Sequence, residues 1–145
     1  MTVYDAEDWL MRGWNVEREI TAKREQLASL MDSVTSITAQ LSGVPGSPSK
    51  DPHRKMDSYA ILSGDIQKEI DALCKIQTEV SNAINSVDVD QLRVLLIERY
   101  INRKTWKEIS DILHYSYDGK RVFQLRTDAL KKIKDYIELH YHNVV

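Results

Sequence analysis

The chain has 145 residues and a formal charge of −2, enough for one domain or for a small domain with an extended arm. Its single cysteine, Cys74, excludes an internal disulfide, fits a reducing cytosol and reads as a helix-face residue. No apolar run approaches the roughly 20 residues of a membrane span, and the acidic start MTVYDAEDW lacks the basic-then-apolar layout of a secretory signal.

Strand signals are nearly absent, while Ala, Leu, Ile, Glu, Lys and Gln recur at helical spacing, so an all-α fold is expected. The first segment, about Asp5 to Ser42, places Trp9, Val16, Ile20, Leu27, Leu30, Val34, Ile37 and Leu41 on a heptad seam that Gly13 and Lys23 interrupt. Three prolines and two glycines between Gly43 and Pro52 then forbid helix and mark a loop over 43–53. A second long helix follows from about His53 to Ser86. Met56, Tyr59, Leu62, Ile66, Ile70, Leu73, Ile76, Val80, Ile84 and Val87 form its stripe. Two helices of matched length and pattern predict an antiparallel coiled-coil hairpin over 1–87, and stripes too wide for one partner predict a homodimer through this arm. The competing arrangement packs both helices into one compact bundle with the rest of the chain.

After Ser86-Val87-Asp88, either Asp88 or Asp90 is suited to cap a third helix whose buried face is Leu92, Leu95, Leu96, Tyr100 and Ile101. Thr105 with Glu108 makes a capping box, and Trp106, Ile109, Ile112 and Leu113 give the next helix one buried face. His114 falls where that helix must stop and tolerates a left-handed backbone, so it reads as a C-terminal cap. Asp118 is the expected cap of a last helix from about 119, with Ser116 the alternative; Val122, Leu125, Ala129 and Ile133 form its apolar stripe. This outlines a helix-turn-helix domain over 88–145 with an extended last helix. Tyr136, Ile137, His140 and Val144 are available to pack on the arm or on a second subunit.

The small net charge hides an asymmetry. Residues 1–87 hold nine Lys/Arg against thirteen Asp/Glu; residues 88–145 hold eleven against nine. From Arg99 to Lys134 there are ten cations (Arg99, Arg103, Lys104, Lys107, Lys120, Arg121, Arg126, Lys131, Lys132 and Lys134) and four acids, a local net of +6 that points to a polyanion. Lys120 and Arg121 fall in the first turn of the last helix, where the helix terminus also attracts phosphate. Gln124 is placed to read an adenine edge, with Thr127 and Lys131 on the same side. Lys104 and Lys107 suit phosphate clamping from the preceding helix. Catalysis is not expected: there is no phosphate loop and no Ser-His-Asp or Cys-His neighbourhood. Nor is a metal or cofactor, since His140 and His142 diverge on a helix and His53 stands alone. On composition, a DNA-binding unit and a charged helical end that only solubilises a coiled coil remain equally open.

The stretch Arg99-Tyr100, the run TWKEISDIL, Val122 and ALKKIK at 129–134 resemble the C-terminal helix-turn-helix of bacterial sigma factors. The whole chain is similar to small phage and prophage proteins of Gram-positive bacteria, related to ArpU-type late transcription regulators. GVPGSPSKDPHRKMD and RYINRKTWKEI are the closest stretches. That resemblance implies a cytoplasmic, sequence-specific regulator that binds double-stranded DNA. Its last helix, about 119–134, would enter the major groove, and its coiled coil would serve oligomerisation or RNA polymerase contact. It assigns Trp106, Ile109, Val122, Leu125 and Leu130 to structural positions and Lys120, Arg121 and Gln124 to the reading face. The family usually has glycine where His114 stands and a turn about two residues shorter, so Asp118 must replace the usual cap for the register to hold. The alternative is a non-transcriptional interaction protein, such as a small DNA-packaging adaptor or a protein inhibitor.

Overall fold

The computed structural model describes residues 1–43, 52–116 and 119–141, with side chains over 1–36, 54–116 and 119–141. Every regular element among them is helical, and none is a strand. They are α1 (Val3–Gly43), α2 (Pro52–Asn85), α3 (Asp90–Leu96) with a π-helical turn Ile97–Ile101, α4 (Trp106–Ile112) and α5 (Arg121–His140). No helix of the described residues is long and apolar enough to cross a membrane. The Gly-Pro loop lies, but for its flanking residues, outside the described residues, as do Asp118, His142 and Val144.

The chain groups into two compact units, Met1–Glu17 with Lys75–Val145, and Arg18–Cys74. In the first unit, Ala6, Trp9 and Leu10 of α1 share one core with Val80, Ala83 and Ile84 of α2, Leu92, Leu95 and Leu96 of α3, and Leu125, Ala129, Leu130, Ile133 and Ile137 of α5. Each fully buried Leu or Ile contributes about 1.5–3 kcal/mol of transfer free energy, so this cluster dominates the unit's stability. Gly13 of α1 faces Val80; a Cβ there would stand 3.7 Å from a Val80 methyl, an ordinary contact. In the second unit the buried hydrophobic residues, among those described, are Ile20, Ile66 and Ile70. Lys23, at an expected seam position, ion-pairs with Glu69 at 2.8 Å. Leu62, expected in the seam, is 44% exposed.

The local signals explain the helix ends with some corrections. Thr2 and Asp5 cap α1 reciprocally, the Thr2 amide donating to Asp5 Oδ2 at 2.7 Å and the Asp5 amide to Thr2 Oγ1 at 3.2 Å. Neither Asp88 nor Asp90 caps α3. Val89 holds the cap position without a side-chain bond, while Asp90 pairs with Arg93 at 2.6 Å and Asp88 with Lys132 at 3.5 Å. A first-turn acid such as Asp90 still stabilises the helix dipole without capping it. The π-helical turn keeps Tyr100 buried (2% exposed) and leaves Ile101, expected inside, 40% exposed.

The expected capping box of α4 is present: Thr105 Oγ1 accepts from the Glu108 amide at 3.2 Å. On α4, Ser110 is buried, and Ile112, expected on the buried face, is 39% exposed. The Ser110 hydroxyl is satisfied by donating to the Trp106 carbonyl at 2.8 Å. Two non-glycine residues adopt left-handed backbones, Arg103 (φ 59°) and His114 (φ 62°). At His114 the amides of His114 and Tyr115 donate to the carbonyls of Asp111 and Ser110, the paired bonds of a Schellman C-cap, so His114 ends α4 as its sequence position predicts. At Arg103 the Lys104 amide returns to the Glu98 carbonyl at 2.9 Å, spanning one residue more than the Tyr115–Ser110 bond, and closes the π turn.

Candidate nucleic-acid interface

The first unit sorts its cations into two groups. Five of the ten between Arg99 and Lys134 are held by partners. Arg126 forks onto Glu7, with Nη2 at 2.8 Å from both carboxylate oxygens and Nε at 3.2 Å from Oε2. Arg103 pairs with Glu17, Lys104 with Glu98 at 2.5 Å, and Lys132 with Asp88. Arg99 lies over the rings of both Trp14 and Trp106, its guanidinium carbon 4.9 Å from each centroid, and donates to the Lys104 carbonyl at 2.9 Å. The other five, Lys107, Lys120, Arg121, Lys131 and Lys134, form no ion pair among the described residues.

The Glu7 cluster shows how completely this sorting is enforced. Tyr100 Oη donates to Glu7 Oε2 at 2.5 Å, beside the Arg126 fork. Burial pushes the Glu7 carboxyl up, but the bonds from Tyr100 and Arg126 and the charges of Arg126 and Arg99 outweigh it and hold it below the ordinary carboxylate range. Burial, reinforced by the neighbouring carboxylate, drives the Tyr100 phenol well above its usual value. Glu98 is likewise held low, first by the hydrogen bond from Lys104, against an opposing effect of burial. These groups are locked in one charge state around neutrality.

The residues expected to face nucleic acid divide accordingly. Lys120, Gln124, Thr127 and Lys131 follow a four-three-four spacing and are all exposed, opposite the buried Val122, Leu125, Ala129 and Ile133. Arg121, also exposed, stands 6.0 Å from the Tyr115 ring, and Lys107 is exposed in the first turn of α4. Tyr115 accepts from Gln91 at 3.2 Å, and this bond first, then Arg121, holds its phenol below the usual value. Lys104 stands apart from the exposed set, because its ammonium is tied to Glu98. Thr127 donates its hydroxyl to the Phe123 carbonyl at 3.0 Å, so its donor is occupied by the backbone.

The turn that aims α5 is partly described. The Gly119 amide donates to the Ser116 carbonyl at 3.0 Å, and a Cβ at Gly119 would come within 3.2 Å of that carbonyl, which favours glycine. The helix begins at Arg121, two residues later than expected, and Lys120 occupies the cap position with a helical backbone and no side-chain cap. Its first turn holds no acid. Asp118, the expected cap, lies outside the described residues.

Two features of this surface escape pattern reading. Glu7 and Arg126 are 119 positions apart, and no periodicity signals their pairing. Phe123, off the apolar stripe, is 43% exposed, with its ring centroid 6.2 Å from that of Trp106. The sequence does carry a signal for it: an aromatic residue one step outside a complete buried stripe. Comparison of the chain with family models, with curated proteins and with solved structures finds no match in any of the three.

Proposed function

We propose that the protein is a sequence-specific regulator of phage type that binds double-stranded DNA, with α4, the following turn and α5 acting as a sigma-like helix-turn-helix. The observation that carries this reading is the sorting of charge. Arg99, Arg103, Lys104, Arg126 and Lys132 are held by carboxylates or stacked on tryptophan. Lys107, Lys120 and Lys131 are exposed with no ion pair among the described residues, and the exposed Arg121 has no ion pair there and lies beside the Tyr115 ring. A solubilising surface has no need of this division, whereas a phosphate-binding one does. The acid-free start of α5 adds exposed amide dipoles at the same place. In this reading Lys107, Lys120 and Arg121 grip phosphates, α5 enters the major groove, and Gln124 reads a base edge.

The rest of the proposal concerns α1 and α2. Within Arg18–Cys74 the buried Ile20, Ile66 and Ile70 and the Lys23–Glu69 pair support a coiled-coil hairpin. The exposed Met31, Ile61 and Leu62 support its use in assembly, with a second copy or with RNA polymerase.

Duplex binding by the full chain, followed by anisotropy across a salt series, tests the central claim. The Lys120→Ala/Arg121→Ala double variant is expected to abolish binding at physiological salt and to lower the salt slope by about two, one for each phosphate no longer neutralised. Absence of duplex affinity at low salt, or a double variant that binds as the parent does, sinks the reading in favour of a protein-only inhibitor or another interaction protein.

A further inference from the structure

The reading face of α5 is not uniformly polar, and the fold covers its apolar part only in part, with Trp106 on one side. Phe123 precedes Gln124 and stands three residues after Lys120 and four before Thr127, the two spacings that make helical neighbours. Phe123 is 43% exposed although Trp106 flanks its ring. Thr127 bonds back to the Phe123 carbonyl, which leaves its γ-methyl as the apolar group available to an outside contact. An exposed aromatic ring and a methyl group thus adjoin a run of exposed cations, Lys120, Arg121 and Lys131, with Gln124 between them.

We propose that Phe123 and Thr127 form an apolar reading spot for the C5-methyl group of thymine in the major groove. This rests on the DNA-binding function proposed above and adds to it the identity of a base. The charge around the spot selects the class of partner. Lys120, Arg121 and Lys131 form no ion pair among the described residues and outnumber the one exposed acid beside Thr127, Asp128, so the patch is net positive and attracts a polyanion. Within double-stranded DNA, the major-groove group that an aromatic ring and a methyl can recognise is the thymine methyl. The neighbouring side chain, Gln124, has the geometry for adenine N6 and N7. Together they describe a subsite for adjoining A·T pairs, with Gln124 reading hydrogen bonds and Phe123 reading shape.

Replacing thymine by uracil removes only the methyl and leaves pairing and phosphates unchanged. The full chain is first used to select duplexes from a random library containing thymine, and the best selected duplex is then prepared in thymine and uracil forms. The expected result is weaker binding of the uracil form, by roughly fourfold for each contacted methyl, the factor that burial of one such group corresponds to. Phe123→Ala is expected to bring the two forms to near-equal affinity without changing the salt slope, because the cations that neutralise phosphate are untouched. Phe123→Leu, which keeps apolar bulk beside Trp106, is expected to retain part of the difference. Equal affinity of the parent chain for the two forms overturns the proposal while leaving DNA binding intact. So does a Phe123→Ala variant that preserves the thymine preference in full. A chain that selects no duplex removes the underlying function and this inference with it.

Discussion

The two compact units carry similar heptad patterns and use them very differently. In the unit formed by Met1–Glu17 and Lys75–Val145, apolar residues from all five helices meet in one continuous core, and six ion pairs among the described residues, with arginines over Trp9, Trp14 and Trp106, fix its polar margin. In Arg18–Cys74 only α1 and α2 contribute, and full burial reaches Ile20, Ile66 and Ile70 among the described residues. Two helices cover a narrow line; helices meeting from several directions cover whole side chains. A heptad pattern therefore specifies which face is apolar, and the number of packing partners decides how much that face contributes.

The largest expected effect separates the two cores. Ile84→Ala in the first unit empties a site that is 0% exposed and should destabilise it by about 2–5 kcal/mol. Ile70→Ala in the second, 3% exposed in the structure, is expected to remove only about 1–2 kcal/mol, because a two-helix site collapses or hydrates more easily. Urea unfolding followed by far-ultraviolet circular dichroism measures both. Equal losses would mean that the thin unit has cover beyond α1 and α2.

A smaller effect is expected at the polar margin of the first unit. Glu7→Gln leaves Arg126 without its charge partner and should remove about 1–2 kcal/mol, the lower part of the range for charged hydrogen bonds because the pair is partly exposed. The folded carboxyl is held below its ordinary value of 4.5, so its contribution is complete above that pH and is lost as the pH falls through the lower folded value. Stability curves of parent and variant should therefore converge on the acid side. A constant gap between them from neutrality to strongly acidic pH would assign the loss to packing instead of charge.

The smallest expected change is at the seam of the second unit. Lys23→Leu replaces a charged seam residue by an apolar one and removes the pair with Glu69. A polar residue at such a position specifies register at some loss of stability, so the variant should melt slightly higher and self-associate more in sedimentation. An unchanged size and midpoint would show that Lys23 neither sets register nor limits assembly.

What the sequence makes legible follows from the range of the forces involved. The Thr105–Glu108 box, the His114 stop and the buried stripe of α5 are local, decided within four or five residues, and each is visible as a pattern. The all-helical composition is visible for the same reason. Local reading still fails where a side chain chooses between partners: Asp88 and Asp90 pair with Lys132 and Arg93 and leave the cap of α3 to Val89. The exchange of Ile112 for Ser110 on the buried face of α4 depends on where the neighbouring helices lie, and a hydroxyl bonded to its own backbone is tolerated inside. Least legible is the fate of the cations. Ten basic residues look alike in sequence, yet Glu7, Glu17, Glu98, Asp88 and two tryptophans take half of them, including Lys104 from the anticipated site. Only tertiary structure brings Glu7 to Arg126.

The arginine-lined tryptophans also give the molecule a built-in optical label. Trp9, Trp14 and Trp106 are the chain's three tryptophans, all lie in the first unit, and each has an arginine within about 5 Å of a ring centroid. Arg18–Cys74 contains one aromatic residue, Tyr59, and no tryptophan. Fluorescence excited at the tryptophan edge is therefore blind to the second unit, while circular dichroism weighs the helices of both. Whether the two signals fall together on unfolding reports, without any added probe, whether the chain melts as one cooperative body or in two steps.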